Sequence, residues 1–248
     1  MKQFLQNYVP AIKQLPLKKK YTKEELLTLD FLIEEGNGVQ IYYAPHNEYI
    51  NPHAKIFIVG ITPGFEQMNT AISTARSCLE TGCSLEEIKY QCKVQARFSG
   101  ALRKNLLDLL RQLKLNEFLH IDDVEELFTT HDELLHTLSL IPYPVFVKGK
   151  NYTGHQPKLL KTPILLKYIE HYFVDELSNL HNVLIIPLGK GVEEALLYLA
   201  NHQMINEKQI LRGFPHPSGA NAHRFKQLED NKPYMMKQLN DYFLGGNK

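Results

Sequence analysis

Several short runs hold the residue types from which a reactive centre can be assembled. His216-Pro217-Ser218-Gly219 sets an imidazole, the side chain that changes charge nearest neutral pH, beside a hydroxyl and a tight turn. Between a strand and a helix, that run can neutralise charge developing on a ligand oxygen through His216, while Ser218 and nearby N–H groups grip a phosphate. A capped turn with a surface histidine explains the same letters. Gly60-Ile61-Thr62-Pro63-Gly64 places two glycines around a proline, a backbone that can approach a ligand closely or simply turn from strand to helix. Its spacing is neither GxGxxG nor GxxxxGK[ST]. Arg97-Phe98-Ser99-Gly100 precedes a helical pattern, with Phe98 a stacking platform or a core residue.

The elements that must position these runs follow from periodicity. Helical spacing predicts helices over residues 2–15 and 22–35, the second opened by a Thr22/Glu25 capping box and ended at Gly36-Asn37-Gly38. A short strand is expected over 39–43 and a buried apolar strand over 55–59. Helices follow over 69–79, 85–95 and 100–113, with an acidic helix over 122–128. A strand over 138–147 carries Pro142 and Pro144, which favour an edge or a strand end. After a polar loop, residues 148–155, come a helix over 163–177, a strand over 182–187, a Gly189-Lys190-Gly191 turn, a helix over 192–201, a short strand over 209–214 and a last helix over 224–243. Strands alternate with helices from Lys55 onward, so the expected fold class is α/β. It is read as one three-layer α/β/α domain over residues 1–248, with a central, mainly parallel four-stranded sheet and the first 38 residues packed on it. Ligands of such sheets bind at the carboxyl ends of the strands.

Composition narrows the function classes. The chain has 248 residues with 44% hydrophobic and 22% charged side chains, enough to bury a sizeable core. Disorder, collagen and coiled coil are excluded. No apolar run approaches the roughly 20 residues of a membrane span, and the N-terminus lacks a secretory signal; no membrane partner and a cytoplasmic setting are expected. Three cysteines, Cys78, Cys83 and Cys92, without a CxxC pair point to reduced thiols. No metal, no cofactor and no obligate protein partner are expected.

The net charge of +1 hides a segregation. Residues 89–107 hold five Lys/Arg, 134–169 five lysines and 208–228 four Lys/Arg, all without an acid, whereas 24–35 hold five acids and 117–133 seven. The acid-free windows coincide with the runs above, as a phosphate-binding face requires; solvated helix faces also cluster charge.

Together, the Gly-x-x-Pro-Gly loop after the first buried strand, the Phe-Ser before an Asn-containing helix, the strand ending Ile185-Ile186-Pro187-Leu188-Gly189-Lys190 and the final His-Pro-Ser loop resemble the uracil-DNA glycosylase superfamily. The likeness spans about residues 42–242 and is greatest to its single-strand-selective and mismatch-specific branches. It implies a glycosylase-like sandwich and a monofunctional DNA N-glycosylase that flips a base from the stack before breaking its glycosidic bond. By position, Gly60, Ile61, Thr62, Pro63 and Gly64 would form the water-activating and base-contacting loop. Phe98 would stack on the extruded base and His216 would stabilise its developing charge. Pro217, Ser218 and Gly219 would press into the minor groove, and Ser99, Arg103, Lys148, Lys150, Lys190 and Arg224 would meet the DNA backbone.

Two departures bear on the substrate. Thr62 stands where the family commonly has Asp or Asn; its hydroxyl can hydrogen-bond water but cannot act as a carboxylate base. The family's uracil-reading Asn has no counterpart in Leu138-Ser139-Leu140-Ile141-Pro142-Tyr143-Pro144. Tyr143, Asn151, Tyr152 and His155 would shape a pocket for uracil or a bulkier modified pyrimidine, such as a modified cytosine, in DNA repair or anti-phage defence. A DNA-binding protein that has lost catalysis on the same fold is the alternative.

Overall fold

A computed structural model describes residues 3–245; Lys2, the first residue of the expected first helix, lies outside them. In chain order the elements are α1 (Leu5–Gln14), α2 (Lys23–Leu26), β1 (Leu32–Gly36), β2 (Val39–Tyr42), β3 (Ile56–Gly60), α3 (Phe65–Glu80), α4 (Leu85–Ala96), α5 (Gly100–Gln112), α6 (Leu115–Leu119), β4 (Leu135–Ser139), β5 (Val145–Val147), β6 (Lys150–Asn151), α7 (Pro163–Lys167), α8 (Val174–Ser178), β7 (Leu184–Pro187), α9 (Lys190–Asn201) and α10 (Arg224–Phe243). The fold is α/β. The chain forms two compact units, each built from three stretches: Met1–Ile50, Ile61–Arg97 and Ser139–Asp175 in the first, Asn51–Gly60, Phe98–Leu138 and Glu176–Lys248 in the second.

The second unit holds a sheet of order β4-β3-β7. β3 and β7 run parallel, in register from Ile56 opposite Leu184 to Val59 opposite Pro187. A further parallel bridge joins Ile185 to Ile210. Four consecutive residues of β3 are buried, as expected of an apolar run covered on both faces. Ile56, Ile58, Leu184 and Ile186 share one core with Leu106, Leu109 and Leu110 of α5 and with Leu228, Met235 and Leu239 of α10. Those helical positions recur at the three- and four-residue spacing of a buried helix face.

The first unit holds a sheet of order β1-β2-β5-β6, antiparallel throughout. Two-residue turns close its hairpins, Asn37-Gly38 between β1 and β2 and Lys148-Gly149 between β5 and β6, with all four residues at positive φ. That geometry matches the right-handed twist of the flanking strands. Beside it, Tyr8 stacks on Tyr43 at 3.6 Å between ring centroids, and Tyr43, Tyr143, Tyr168 and Tyr172 continue the aromatic cluster.

Several expectations need correction. The helix over 22–35 is one turn, α2, followed by strand β1; the Thr22/Glu25 capping box does form, but Asn37-Gly38 is a hairpin turn rather than a helix stop. The strand over 138–147 is two strands in two sheets. Pro142 and Pro144 have no N–H to donate and separate them, so the expected four-stranded, mainly parallel sheet has three named strands instead. The strand over 209–214 shrinks to the Ile210 bridge, because Ile210 N–H closes a 3-10 turn on Glu207. The acidic helix over 122–128 is a 3-10 turn, Val124–Phe128, capped by Asp123. The helix over 163–177 is interrupted by a π-helical stretch, Tyr168–Phe173. The last helix has the expected bounds.

Candidate functional site

In the second unit, the carboxyl ends of β3 and β7 lie side by side, because Val59 is opposite Pro187 and Leu188 N–H bonds Val59 O at 2.9 Å. Gly60 ends β3 there, and Gly189 follows β7. Gly189 adopts φ 85° and ψ 170°, a region that only glycine occupies readily. A Cβ on Gly189 would lie 2.8 Å from His216 Cβ, so the missing side chain is what lets the His216 loop seat against the end of β7.

The His216 loop is held from several directions. Ser218 N–H donates to His216 Nδ1 at 3.1 Å. Asn221 Nδ2 donates to His216 O at 3.0 Å, and Asn105 Nδ2 to Pro217 O at 2.8 Å. Arg224 bonds both Asn105 Oδ1 and Asn221 O, which ties α5 and α10 to the loop. With Nδ1 accepting, the single proton of neutral His216 sits on Nε2. Burial holds the His216 pKa below its ordinary value, so this neutral tautomer persists at neutral pH and Nε2–H is its donor.

Other candidates of this unit fall differently. Ser218 N–H is engaged by His216, so that N–H is not among the groups left to grip a phosphate; Gly219 is exposed. Pro217 is buried. Phe98 is half-buried and packs against the α5 and α10 core, the place of a core residue rather than of an open platform. Arg103 donates to Phe98 O and lies over the Phe128 ring. Ser99 is the exposed N-cap residue of α5, and Lys190 is exposed and lies 3.7 Å from Glu194.

In the first unit, Thr62 acts as a clip. Its hydroxyl donates to Tyr143 O at 2.7 Å and accepts from Val145 N–H at 3.1 Å, so its only proton is used and one lone pair remains. Ile61 O accepts from Ile141 N–H, and the Ile61 side chain fills the space beside Gly154, where a Cβ would meet Ile61 Cδ1 at 2.6 Å. Pro63 is buried. Gly64 N–H bonds Gln67 Oε1, and Phe65 N–H bonds Asn151 Oδ1 at 3.1 Å, so Asn151 caps α3 through the β5–β6 hairpin. Tyr143 is 3% exposed, and its hydroxyl exchanges hydrogen bonds with the Gln3 backbone. Its ring belongs to the aromatic cluster rather than to an open pocket.

Charge is also redistributed by folding. In the 89–107 window, Lys89 pairs with Glu86, while Lys93 and Arg97 are buried. Lys93 donates to Asn47 Oδ1 at 3.0 Å. Lys93 and Arg97 therefore supply packing rather than a basic face, while Lys104 stays exposed. The 134–169 window does present charge: Lys148, Lys150, Lys158 and Lys161 are exposed, and Lys23 adds its ammonium beside Gly149 O at 2.8 Å.

With this geometry established, the chain can be compared with known proteins. No protein-family model matches it. It is 41% identical over 239 residues to "Uncharacterized protein YoxB" of Bacillus subtilis (strain 168), covering 96% of this chain and 93% of that protein. The chain belongs to the YoxB family. Identity at that level over nearly the whole of both chains means that YoxB shares this fold.

Sequence reasoning missed Asn221, saw Gly189 only as part of a turn, and saw Asn105 only as a letter in a helix. One signal for Asn105 was available: it shares with Leu106, Leu109 and Leu110 the buried side of α5, and a buried amide requires a partner. Among the described residues no helix is long and apolar enough to cross a membrane.

Proposed function

We propose that this chain is a DNA glycosylase of the uracil-DNA glycosylase type, acting on uracil or on a modified pyrimidine such as a bulky modified cytosine. The observation that carries the reading is neutral His216, with Nδ1 engaged by Ser218 N–H and its proton on Nε2. A flipped pyrimidine leaves with the glycosidic electron pair, and negative charge develops on its carbonyl oxygen. In this reading the His216 Nε2–H donates to that oxygen and stabilises the departing base without transferring a proton. Water then supplies hydroxyl to the sugar carbon and a proton to the base, leaving an abasic site. In this reading the β4-β3-β7 sheet and the Ile210 bridge correspond to the four-stranded sheet of that superfamily. On the first unit, the exposed Lys148 and Lys150 of the β5–β6 hairpin would meet DNA phosphates. Its setting would be repair or anti-phage defence in the cytoplasm.

A second reading, a DNA-binding protein without catalysis, is favoured by one observation: the Thr62 hydroxyl is engaged by Tyr143 and Val145, not left to position water. Incubation with single strands and duplexes carrying uracil, other damaged bases or modified cytosines, followed by alkali, separates the two. The glycosylase reading expects alkali-labile sites on at least one substrate, reduced about 100-fold or more by His216→Ala. DNA binding without strand cleavage on any of them refutes it in favour of the second.

A further inference from the structure

We propose that Cys78 and Cys83 form a reversible intramolecular disulfide at the turn between α3 and α4. Two elements of the sequence build it. Helix α3 ends at Thr81, whose N–H bonds Ser77 O, and Gly82 follows at φ 79°. Cys83 N–H then returns to Cys78 O at 3.0 Å. This is a Schellman ending, in which a left-handed glycine folds the next residue back over the last helical turn and brings its side chain against the residue five positions earlier. That contact is usually between two apolar side chains; here the two residues it joins are both free cysteines.

The ending thus supplies what a disulfide needs, two cysteine side chains held together by the backbone rather than by chance. Both residues are partly accessible, whereas Cys92 is buried and donates its Sγ–H to Ala71 O at 3.2 Å. Burial pushes the Cys78 thiol up to about 11, with the neighbouring Cys83 sulfur adding to the shift, so Cys78 is a poor first nucleophile.

The chemistry balances with a low-molecular-weight disulfide, RSSR, as oxidant. Cys83 thiolate attacks one sulfur of RSSR and expels RS⁻, forming a mixed disulfide. Cys78, losing its proton, attacks the Cys83 sulfur and expels the second RS⁻. Two thiols and RSSR become one protein disulfide and two RSH, the two electrons passing to the reagent. A reducing thiol reverses the sequence.

The test uses the full chain with oxidised glutathione, quenching by alkylation under native conditions and intact mass measurement. The expected product has lost the mass of two hydrogen atoms and both reactive thiols. Cleavage after Glu80 leaves two peptides joined through Cys78 and Cys83, and Cys92 is alkylated only after unfolding. In Cys78→Ser the reaction stops at glutathione on Cys83. Wild-type protein that accumulates the glutathione adduct, or that keeps both thiols alkylatable, overturns the proposal. The wild-type measurement decides the matter even if a variant fails to fold.

Discussion

Replacing Thr62 by Val keeps the shape of the side chain and removes both of its hydrogen bonds, to Tyr143 O at 2.7 Å and from Val145 N–H at 3.1 Å. Each bond contributes about 0.5–1.5 kcal/mol net, and a buried donor left without a partner adds about 1–3 kcal/mol. Val145 is buried, so its orphaned N–H falls under the larger figure, and Thr62→Val should destabilise the chain by roughly 2–4 kcal/mol. Thr62→Ser retains the hydroxyl and loses one methyl, a change of about 0.8 kcal/mol. Urea denaturation followed by circular dichroism measures both variants. Amide exchange at Val145 gives a local readout, with protection lost in the Val variant and kept in the Ser variant. The reasoning fails if Thr62→Val lies within about 0.5 kcal/mol of wild type with Val145 still protected, because the hydroxyl would then hold nothing in place.

Gly189→Ala should cost roughly 2–4 kcal/mol, from a backbone region reserved for glycine and a Cβ driven into His216, and should abolish base release; unaltered urea midpoints would contradict it. His46 is fully buried, has no hydrogen-bond partner on either ring nitrogen among the described residues, and burial with Lys93 nearby lowers its pKa to about 3. The unfolded chain therefore takes up a proton near its ordinary value of about 6.5 that the native state refuses. Stability is fully present above that value and falls by ~1.4 kcal/mol per pH unit as pH drops toward 3. His216 is lowered in the same direction and adds to the loss with the same sign. In His46→Leu the loss between pH 7 and 5 should shrink by roughly 2 kcal/mol; an equal loss, measured by urea titration, would show that the ring is not protonated only on unfolding. Lys148→Glu with Lys150→Glu should weaken DNA binding and flatten its salt dependence by about one unit of log-log slope per lost phosphate contact. Fluorescence anisotropy at several salt concentrations measures this, and an unchanged slope would remove the hairpin from the interface.

What could be read in advance depended on whether one residue type in one place has a single physical use. Helix α10 was legible because a long amphipathic run leaves few alternatives. The β1–β2 hairpin was not, since Thr22 and Glu25 start a helix correctly but carry no information on where it stops, and Asn37-Gly38 serves a hairpin as well as a helix end. The 89–107 charge window misled for a different reason. Counting lysines cannot register that Lys93 lies beneath the surface with Asn47, or that Arg103 spends its guanidinium on Phe128. Thr62 shows the same limit at one atom, because a hydroxyl's availability depends on a carbonyl and an N–H that lie 81 and 83 residues further along the chain.

The interleaving of the two units constrains how the chain is made. β3 belongs to the unit completed by Glu176–Lys248, and β7, its parallel neighbour, leaves the ribosome long after it. Until then one edge of Ile56-Phe57-Ile58-Val59, an apolar run with unpaired backbone groups, is open to association with other chains. Chaperone capture of nascent chains should consequently peak before β7 is synthesised, and a truncation that stops short of Leu184 should yield aggregate rather than a soluble fragment.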